Sequence, residues 1–276
     1  MACWQTSRFL LDLEHPLVMG IVNVTPDSFS DGGRDVRQAL AHCEQLLRDG
    51  AHILDIGGES TRPGATPVPL TEELARVVPV VREAVRLGVP VSVDTFKPQV
   101  MRAVLDEGAD IINDIHALTV DGAVEAVAAH PSCGVCLMHM RGQPASMQAG
   151  PLDYPDVVAE VTDFLAARVA VLQSRGVQPP RIVLDPGIGF GKRVVDNFAL
   201  IRGQAALLAL GLPVLAGWSR KSSVGAATGR EVDRRLAGSL AAALAAVHCG
   251  ARVVRVHDVA ETVDALAVWT AAGLLP

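Results

Sequence analysis

The 276-residue chain lacks the features that mark several classes of protein. It has no excess of positive charge, since Asp and Glu outnumber Lys and Arg by 30 to 24 and the pI is about 5.7. Binding to nucleic acid or to an anionic membrane surface is therefore not expected. The most apolar stretches, 205–217 and 236–247, are interrupted by Gly, Pro or Ser and are shorter than the roughly 20 apolar residues that span a bilayer. We expect no membrane segment.

A secretory signal and a disulfide framework are also missing. Residues 1–15 have neither the long apolar segment nor the cleavage site of a signal, which predicts a cytoplasmic protein. The five cysteines are odd in number and scattered. Only Cys133 and Cys136 lie close together, in an apolar run that is typical of a strand. Positions i and i+3 of a strand point to opposite faces, so we predict two small core residues that share neither a metal nor a disulfide.

The chain does contain a regular alternation of short β-branched runs and longer amphipathic segments. The runs predict strands at 17–22, 52–56, 90–93, 110–112, 133–138, 181–184, 213–216 and 251–256. The amphipathic segments predict helices at 36–48, 71–87, 98–107, 154–175, 232–248 and 259–272, with a cap at Thr71 and helix-ending glycines at Gly50, Gly88 and Gly108. No linker divides residues 1–276. We predict a single (β/α)₈ barrel domain, with an open doubly wound sheet as the alternative.

The polar residues near the ends of these runs indicate where a ligand binds, because barrel active sites lie at the C-terminal ends of the strands. Runs two, three, four and six supply three carboxylates and an amide, namely Asp55, Asp94, Asn113 and Asp185. Such a set suits a heterocycle rich in N–H donors. The second loop and runs seven and eight supply cationic groups, namely Arg62, Arg220, Lys221, Arg255 and His257. The sequence therefore predicts a heterocycle at one end of a pocket and an anion at the other.

Three glycine-containing loops adjoin this predicted pocket. Residues 24–33 and 57–64 are longer than a barrel requires and carry Phe29 and Arg62, so we interpret them as lids, with disordered surface loops as the alternative. The segment 185–192 fails both nucleotide-binding patterns, because its spacing is GxGxG and Arg193 follows its lysine. Its glycines are expected to turn the loop so that Asp185 and Phe190 face a ligand.

Eight motifs, one at each predicted strand end, resemble the dihydropteroate synthase family in the same order. They are MGIVNVTPDSFSDGG (19–33), DIGGESTRPG (55–64), SVDT (92–95), IND (112–114), LMHM (137–140), DPGIGFGK (185–192), SRKS (219–222) and RVHDV (255–259). The resemblance implies a transferase of folate biosynthesis, the target of sulfonamides. This family joins 6-hydroxymethyl-7,8-dihydropterin pyrophosphate to p-aminobenzoate and releases pyrophosphate, with Mg²⁺.

The resemblance also implies roles for individual residues. The pterin would contact Asp55, Asp94, Asn113, Met138, Asp185, Phe190 and Lys221. Pyrophosphate would contact Asn23, Arg62, Arg255 and His257, with Mg²⁺ near Asn23, Asp27 and Asp31. p-Aminobenzoate would contact Phe29, Thr61, Pro63, Phe190, Lys221 and Ser222. Catalysis would depend on Asp94, Asp185, Lys221 and Arg255: pyrophosphate leaves early, and the two carboxylates stabilise a cationic pterin methylene.

Some features leave alternatives open. Phe96, His116 and Trp218 are bulkier or differently charged than the family pattern leads us to expect, which affects the outer shape of the pocket and the sensitivity to drugs. A pterin-dependent methyl-transfer barrel, a catalytically silent pterin-binding paralogue and a Schiff-base aldolase that uses Lys221 are the competing functions. The methyl-transfer barrel would not need residues 219–222 or both lid motifs. A silent paralogue usually has lost at least one part of the site, whereas the lid motifs and the anion-binding residues are all present in this sequence.

One helix bears on assembly. Residues 236–247 have almost no polar face, although an outer helix of a monomeric barrel should present one to water. We therefore predict a homodimer through the seventh and eighth helices, as the resemblance also implies.

Overall fold

Strands and helices alternate along the chain in the computed structural model, which describes residues 3–24, 32–62, 64–148 and 152–275. The strands are β1 (Cys3–Gln5), β2 (Leu10–Asp12), β3 (Leu17–Asn23), β4 (Ile53–Gly57), β5 (Val91–Asp94), β6 (Ile111–Asp114), β7 (Gly134–Met138), β8 (Ile182–Asp185), β9 (Leu215–Ala216) and β10 (Val253–Val256). The helices are α1 (Gly32–Arg48), α2 (Leu70–Ala84), α3 (Pro98–Asp106), α4 (Ala123–Ala129), α5 (Val157–Ser174), α6 (Val194–Arg202), α7 (Gln204–Leu208), α8 (Ser222–Thr228), α9 (Leu236–His248) and α10 (Val259–Ala271).

Strands β3 to β10 form a parallel sheet in the order β8-β7-β6-β5-β4-β3-β10-β9. A parallel bridge between Leu184 and Val214 joins the two edge strands, and the Leu184 amide donates to the Pro213 carbonyl at 2.9 Å. The sheet is thereby curled into a nearly closed barrel with helices outside it, which confirms the predicted (β/α)₈ class and excludes the open sheet. None of the described helices is both long and apolar enough to cross a bilayer.

The observed elements differ from the predicted ones at several boundaries. Helix α2 begins at Leu70 after Pro69, and no side chain caps it, so the predicted cap at Thr71 is wrong. The glycines predicted to end helices are left-handed, with φ of +96° at Gly50, +75° at Gly88 and +95° at Gly108. Helices α4, α6, α7 and α8 were not predicted, because they are short or lack a clear amphipathic period.

Side chains alternate between the two faces of each strand, and this alternation separates the core from the site. The inward-facing residues near the lower ends of the strands form an apolar layer that includes Met19, Ile53, Ile111, Cys136, Val183, Leu215 and Val253. Two positions further along, the inward-facing residues of the same strands are Ile21, Asp55, Asn113, Met138, Asp185, Gly217 and Arg255. The residues between these positions pack outward against the helices. Along each of these strands, one inward-facing residue belongs to the apolar layer, and the next inward-facing residue lies at the level of the cavity.

The two neighbouring cysteines follow the same rule. Cys136 lies inside the barrel, whereas Cys133 packs in the layer between barrel and helices. Both are fully buried free thiols. The prediction of two core residues on opposite faces is confirmed.

An N-terminal hairpin, which the sequence did not predict, covers the lower end of the barrel. Strands β1 and β2 pair in antiparallel fashion, and the fully buried Trp4 packs with the inner apolar layer. The Trp4 indole N–H donates to the Arg181 carbonyl at 3.0 Å, while the Arg8 guanidinium binds the Asp110 carboxylate at 2.6 Å. These contacts fix the hairpin to the residues that precede β8 and β6.

We predict that Trp4→Ala destabilises the fold by about 3–5 kcal/mol, because it removes a large buried side chain and leaves a cavity under the apolar layer. Leu10→Ala in the same hairpin is the matched control, since Leu10 is 70% exposed, and it should change stability by less than about 0.5 kcal/mol. Urea unfolding at equilibrium measures both. Equal effects of the two changes would contradict the assigned role of Trp4.

Candidate active site

A cavity of about 530 Å³ opens at the C-terminal ends of the barrel strands. It is lined by twelve of the residues predicted for the site, namely Asn23, Thr61, Arg62, Asp94, Asn113, Met138, Asp185, Phe190, Lys221, Ser222, Arg255 and His257. Asp27, Phe29, Asp31 and Pro63 lie outside the described residues. Residues from all three sets, those predicted to bind the pterin, pyrophosphate and p-aminobenzoate, therefore line one cavity.

Asp55 is the exception, because it is fully buried and does not line the cavity. Its carboxylate accepts from Ser92 Oγ at 2.6 Å, from Asn113 Nδ2 at 3.2 Å and from Arg255 Nε at 2.5 Å. A buried carboxylate needs such partners to offset the loss of water. In this structure Asp55 lies beneath the cavity, where it orients Asn113 and Arg255.

Arg255 also links the two predicted ends of the pocket. Its Nη2 donates to Asp94 Oδ2 at 2.8 Å in addition to the contact with Asp55. Although burial disfavours its charge, Asp55 and Asp94 keep the pKa of Arg255 above its usual value. The predicted separation of carboxylates from cations is therefore wrong at this point, since the guanidinium lies between two of the carboxylates.

Two of the carboxylates that line the cavity, those of Asp94 and Asp185, are less acidic than usual. Burial raises the pKa of Asp94 to about 7, although Arg255 opposes the shift. Burial also raises the pKa of Asp185, whose Oδ1 accepts from the Gly187 amide at 2.7 Å. Titratable groups with shifted pKa values in a cavity are typical of functional sites.

Lys221 lines the cavity from the segment after β9, beside the loop after β8 that carries Phe190. Its Nζ is 4.1 Å from the centre of the Phe190 ring, a cation–π contact. Desolvation lowers the pKa of Lys221 to about 8, although the charge of Asp185 favours the ammonium form. The lysine reaches this position because Arg220, the preceding residue, adopts a left-handed conformation with φ of +58°. The turn thereby presents an ammonium group to the carboxylates.

The glycine-rich segment after β8 has the sharp turns that the sequence predicted. Gly187, with φ of +69°, approaches the next loop so closely that a Cβ would lie 1.8 Å from the His139 carbonyl oxygen. The Lys192 ammonium donates to the carbonyls of His139, Gly187 and Phe190 at 3.1, 2.9 and 3.1 Å. Lys192 does not line the cavity. It links the loop after β7 to the loop after β8.

The second loop is held by ion pairs that the sequence analysis did not identify. Lys97, after β5, pairs with both Glu59 and Glu73, and Glu73 accepts from Thr95 Oγ1 at 2.7 Å. Glu59 belongs to the loop that carries Thr61 and Arg62 and itself lines the cavity. The only available signal was that each of the three lysines closely follows a strand.

Apolar residues that the sequence did not single out complete the cavity. Ile115 and Met147 cluster with Met138 and Phe190, and Phe96 packs against the cluster from outside. Phe96 meets the ring of His116 edge-on at 4.9 Å between centroids. These positions could not be predicted from residue polarity, because an apolar residue that lines a pocket is of the same type as one that lies in the core.

Trp218 takes no part in the shape of the cavity. It is 2% exposed and lies in the layer between barrel and helices, where its ring stacks on that of Phe198 with 5.2 Å between the ring centroids. The expectation that it alters the outer pocket is wrong. Phe96 and His116 do not line the cavity either, although Phe96 packs against the apolar cluster of the pocket and contacts His116.

Comparison with known proteins agrees with this geometry. The family described as pterin binding enzyme matches residues 19–257. The dihydropteroate synthase of Neisseria meningitidis serogroup B is 53% identical over 279 residues, which covers 98% of each chain. The dihydropteroate synthase of Escherichia coli K12 is 49% identical over 261 residues, with 94% of this chain and 92% of that protein covered.

Solved structures give the same result. The dihydropteroate synthase of Xanthomonas albilineans, determined with 4-aminobenzoic acid, superposes with a TM-score of 0.89 at 53% identity and covers 97% of this chain and 96% of its own. That of Burkholderia cenocepacia, complexed with 7,8-dihydropteroate, has a TM-score of 0.90 at 52% identity, with 99% of this chain and 96% of that chain covered. Fold, cavity and sequence together show that this chain belongs to the dihydropteroate synthases, which are transferases of the pterin-binding enzyme family.

Proposed function

We propose that the chain condenses 6-hydroxymethyl-7,8-dihydropterin pyrophosphate with p-aminobenzoate to give 7,8-dihydropteroate and pyrophosphate. The observation that carries the proposal is one cavity in which the acceptors Asp94, Asn113 and Asp185 lie with the cationic side chains of Lys221 and Arg255. Relatives of about half-identical sequence bind 4-aminobenzoic acid or 7,8-dihydropteroate, the proposed co-substrate and product.

The pterin is proposed to occupy the deep part of this cavity. Asp185 and Asn113 offer oxygen acceptors for the N–H groups of an aminopyrimidine edge, and Met138 and Phe190 provide apolar contact for its rings. Lys221 donates to the ring carbonyl. Asp55 acts through Asn113 and Arg255 and is a positioning residue in this structure.

The diphosphate is proposed to bind Asn23, Arg62, Arg255 and His257, which all line the cavity. Arg255 uses Nε and Nη2 for its two carboxylates, and a guanidinium carries five N–H donors in all. It can therefore bind a phosphate oxygen without giving up Asp55. p-Aminobenzoate then lies against Thr61, Phe190 and Lys221, near the Ser222 end of α8, with Phe29 and Pro63 added from the sequence.

The reaction is proposed to begin with departure of pyrophosphate. The carbon–oxygen bond breaks and its electron pair leaves with pyrophosphate, so that positive charge develops on the pterin methylene. Asp94 and Asp185 stabilise that charge, while Arg255 and His257 stabilise the leaving anion. The amine of p-aminobenzoate then attacks the methylene carbon and loses a proton. No covalent bond to the chain is required.

Mg²⁺ is proposed to accompany the diphosphate. The described part of the chain contains no group of three or more His, Cys, Asp or Glu side chains that could hold a metal. Mg²⁺ commonly binds one or two protein groups together with substrate phosphates, and the amide oxygen of Asn23 in the cavity fits that pattern. With Asp27 and Asp31 it would hold the ion, whose charge stabilises the leaving group.

We further propose that the chain forms a homodimer. An apolar groove of about 410 Å³ lies between α6, α8 and α9 and is lined by residues such as Phe198, Ile201, Val224, Ala241 and Ala245. A second copy of the chain is the proposed occupant, because α9 presents small apolar residues there. The groove does not include α10, so the proposed face differs from the predicted pairing of the seventh and eighth helices.

The proposed location is the cytoplasm. All five cysteines are free thiols, as is usual in a reducing compartment.

The first experiment mixes the purified protein with Mg²⁺ and both substrates and detects dihydropteroate by mass spectrometry. We expect product from the native chain and a loss of about 100-fold or more in kcat/KM for Lys221→Ala and Arg255→Ala, since each removes a donor aimed at developing or bound charge. Arg86→Ala, whose side chain is 68% exposed, is the control and should retain full activity.

Three outcomes would point to the competing functions. Pterin binding without product would favour the silent paralogue, and covalent trapping of a carbonyl substrate on Lys221 by borohydride would favour the aldolase. Methyl transfer from a methylated pterin would favour the third alternative.

The pH dependence of kcat/KM should show an alkaline limb. Burial lowers the pKa of Lys221 from 10.5 to about 8, so as pH rises through about 8 the side chain loses its charge and a hydrogen-bond donor. Lys221→Arg should be less active below that pH and should lack the limb, because Arg does not titrate in this range. An unchanged limb in the Arg variant would assign it to another group.

The dimer is tested by analytical ultracentrifugation at micromolar concentration. Ala241→Glu places a charge in the groove and should convert dimer to monomer. Ala129→Glu, at an exposed position at the end of α4, should leave the dimer intact. A native chain that sediments only as a monomer would refute the assembly.

A further inference from the structure

Ser219 has no role in the proposed reaction, yet it makes two contacts with the same histidine. Ser219 follows β9 and His257 follows β10, and these strands are neighbours in the barrel. Ser219 Oγ lies 2.9 Å from His257 Nδ1 and also accepts from the His257 backbone N–H at 3.1 Å. Both side chains line the cavity.

The proton positions follow from the donors available. A backbone N–H can only donate, so Ser219 Oγ is an acceptor in that contact. The hydroxyl carries one proton of its own, and among the described residues the only acceptor within reach of it is His257 Nδ1. If Ser219 donates that proton, Nδ1 is unprotonated, and a neutral ring must carry its proton on Nε2.

The surroundings keep the ring neutral. Burial lowers the pKa of His257 to about 3, and the nearby cations Arg255, Arg220 and Arg62 act in the same direction, while Asp258 acts against them. A neutral imidazole can offer an anion a hydrogen bond from one nitrogen only, because the other nitrogen presents a lone pair. The tautomer therefore decides whether His257 attracts or repels an anion in the cavity.

We propose that Ser219 is a positioning residue that fixes His257 as the Nε2–H tautomer, so that the ring donates a neutral hydrogen bond to an anion in the cavity. The identity of that anion as pyrophosphate rests on the proposed function. The contact adds a directed donor to the anion site without adding another charge beside Arg255.

The backbone around Ser219 is built to hold this orientation. Arg220 is left-handed, and its amide donates to Ser239 Oγ at 2.9 Å. Its guanidinium binds Asp258 at 2.5 Å, which joins the residue after Ser219 to the residue after His257. The serine and the histidine are thus linked directly and through their neighbours.

Nitrogen-15 NMR of the imidazole rings in the native chain is the primary test. The chain has eight histidines, and the His257 signals are those missing from a His257→Gln variant. Two other rings act as internal references, because Nδ1 of His52 accepts from the Val18 amide and Nδ1 of His130 accepts from the Cys133 amide. We expect His257 to show the same Nε2–H pattern at neutral pH. A proton on Nδ1, or a doubly protonated ring, would overturn the proposal.

The variants separate the hydroxyl from the turn. Ser219→Ala should give a mixture of His257 tautomers and bind inorganic pyrophosphate about tenfold more weakly by calorimetry. Ser219→Thr, which keeps the hydroxyl, should restore both values. Ser239→Ala is the matched control: it removes a hydroxyl that supports the same turn but does not touch His257, and it should leave the tautomer as in the native chain.

Each result has a distinct meaning. A native tautomer in Ser219→Ala, or an equal shift in Ser239→Ala, would overturn the role of the hydroxyl. An Nε2–H ring in a native chain that does not bind pyrophosphate would support the positioning and contradict the proposed function. Binding of 6-hydroxymethylpterin, which has no phosphate, should be the same in the native chain and in Ser219→Ala.

Discussion

The geometry of the cavity depends on the contacts that the buried Asp55 carboxylate makes with its neighbours. This carboxylate lies inside the barrel at the level where the apolar layer ends, and its oxygens accept hydrogen bonds from Ser92, Asn113 and Arg255. These residues come from β4, β5, β6 and β10, so one carboxylate relates four strands to one another. A buried charge with this many partners has few alternative positions, and the side chains that surround it are correspondingly fixed.

The three lysines show how a small number of ammonium groups can serve different purposes at one end of a barrel. Lys97 forms ion pairs with two glutamates and secures the second loop. Lys192 donates to carbonyl oxygens and joins the loops after β7 and β8. Only Lys221 faces the cavity. Burial lowers the pKa of Lys192 to about 7, close to that of Lys221, so a shifted pKa alone does not distinguish the functional group from the structural one.

The strand pattern and the polar residues at strand ends were sufficient to predict the barrel and most of the cavity lining. The reason is periodicity: once a β-branched run is recognised, its last inward position is determined by alternation alone. The same logic could not distinguish Asp55 from Asp94, because the two differ in depth and in their partners across the barrel. Met147 was missed because its position depends on how a loop folds back, which no local pattern encodes.

The hairpin at the other end of the barrel constrains how ligands move. In the described part of the chain, Trp4 and the inner apolar layer occupy the barrel below the cavity, and the cavity opens at the strand ends, so a ligand of this cavity enters and leaves there. A ligand beside the strand residues Asn113 and Asp185 therefore exchanges with solvent past the loop residues that line the same cavity, such as Thr61 and Arg62.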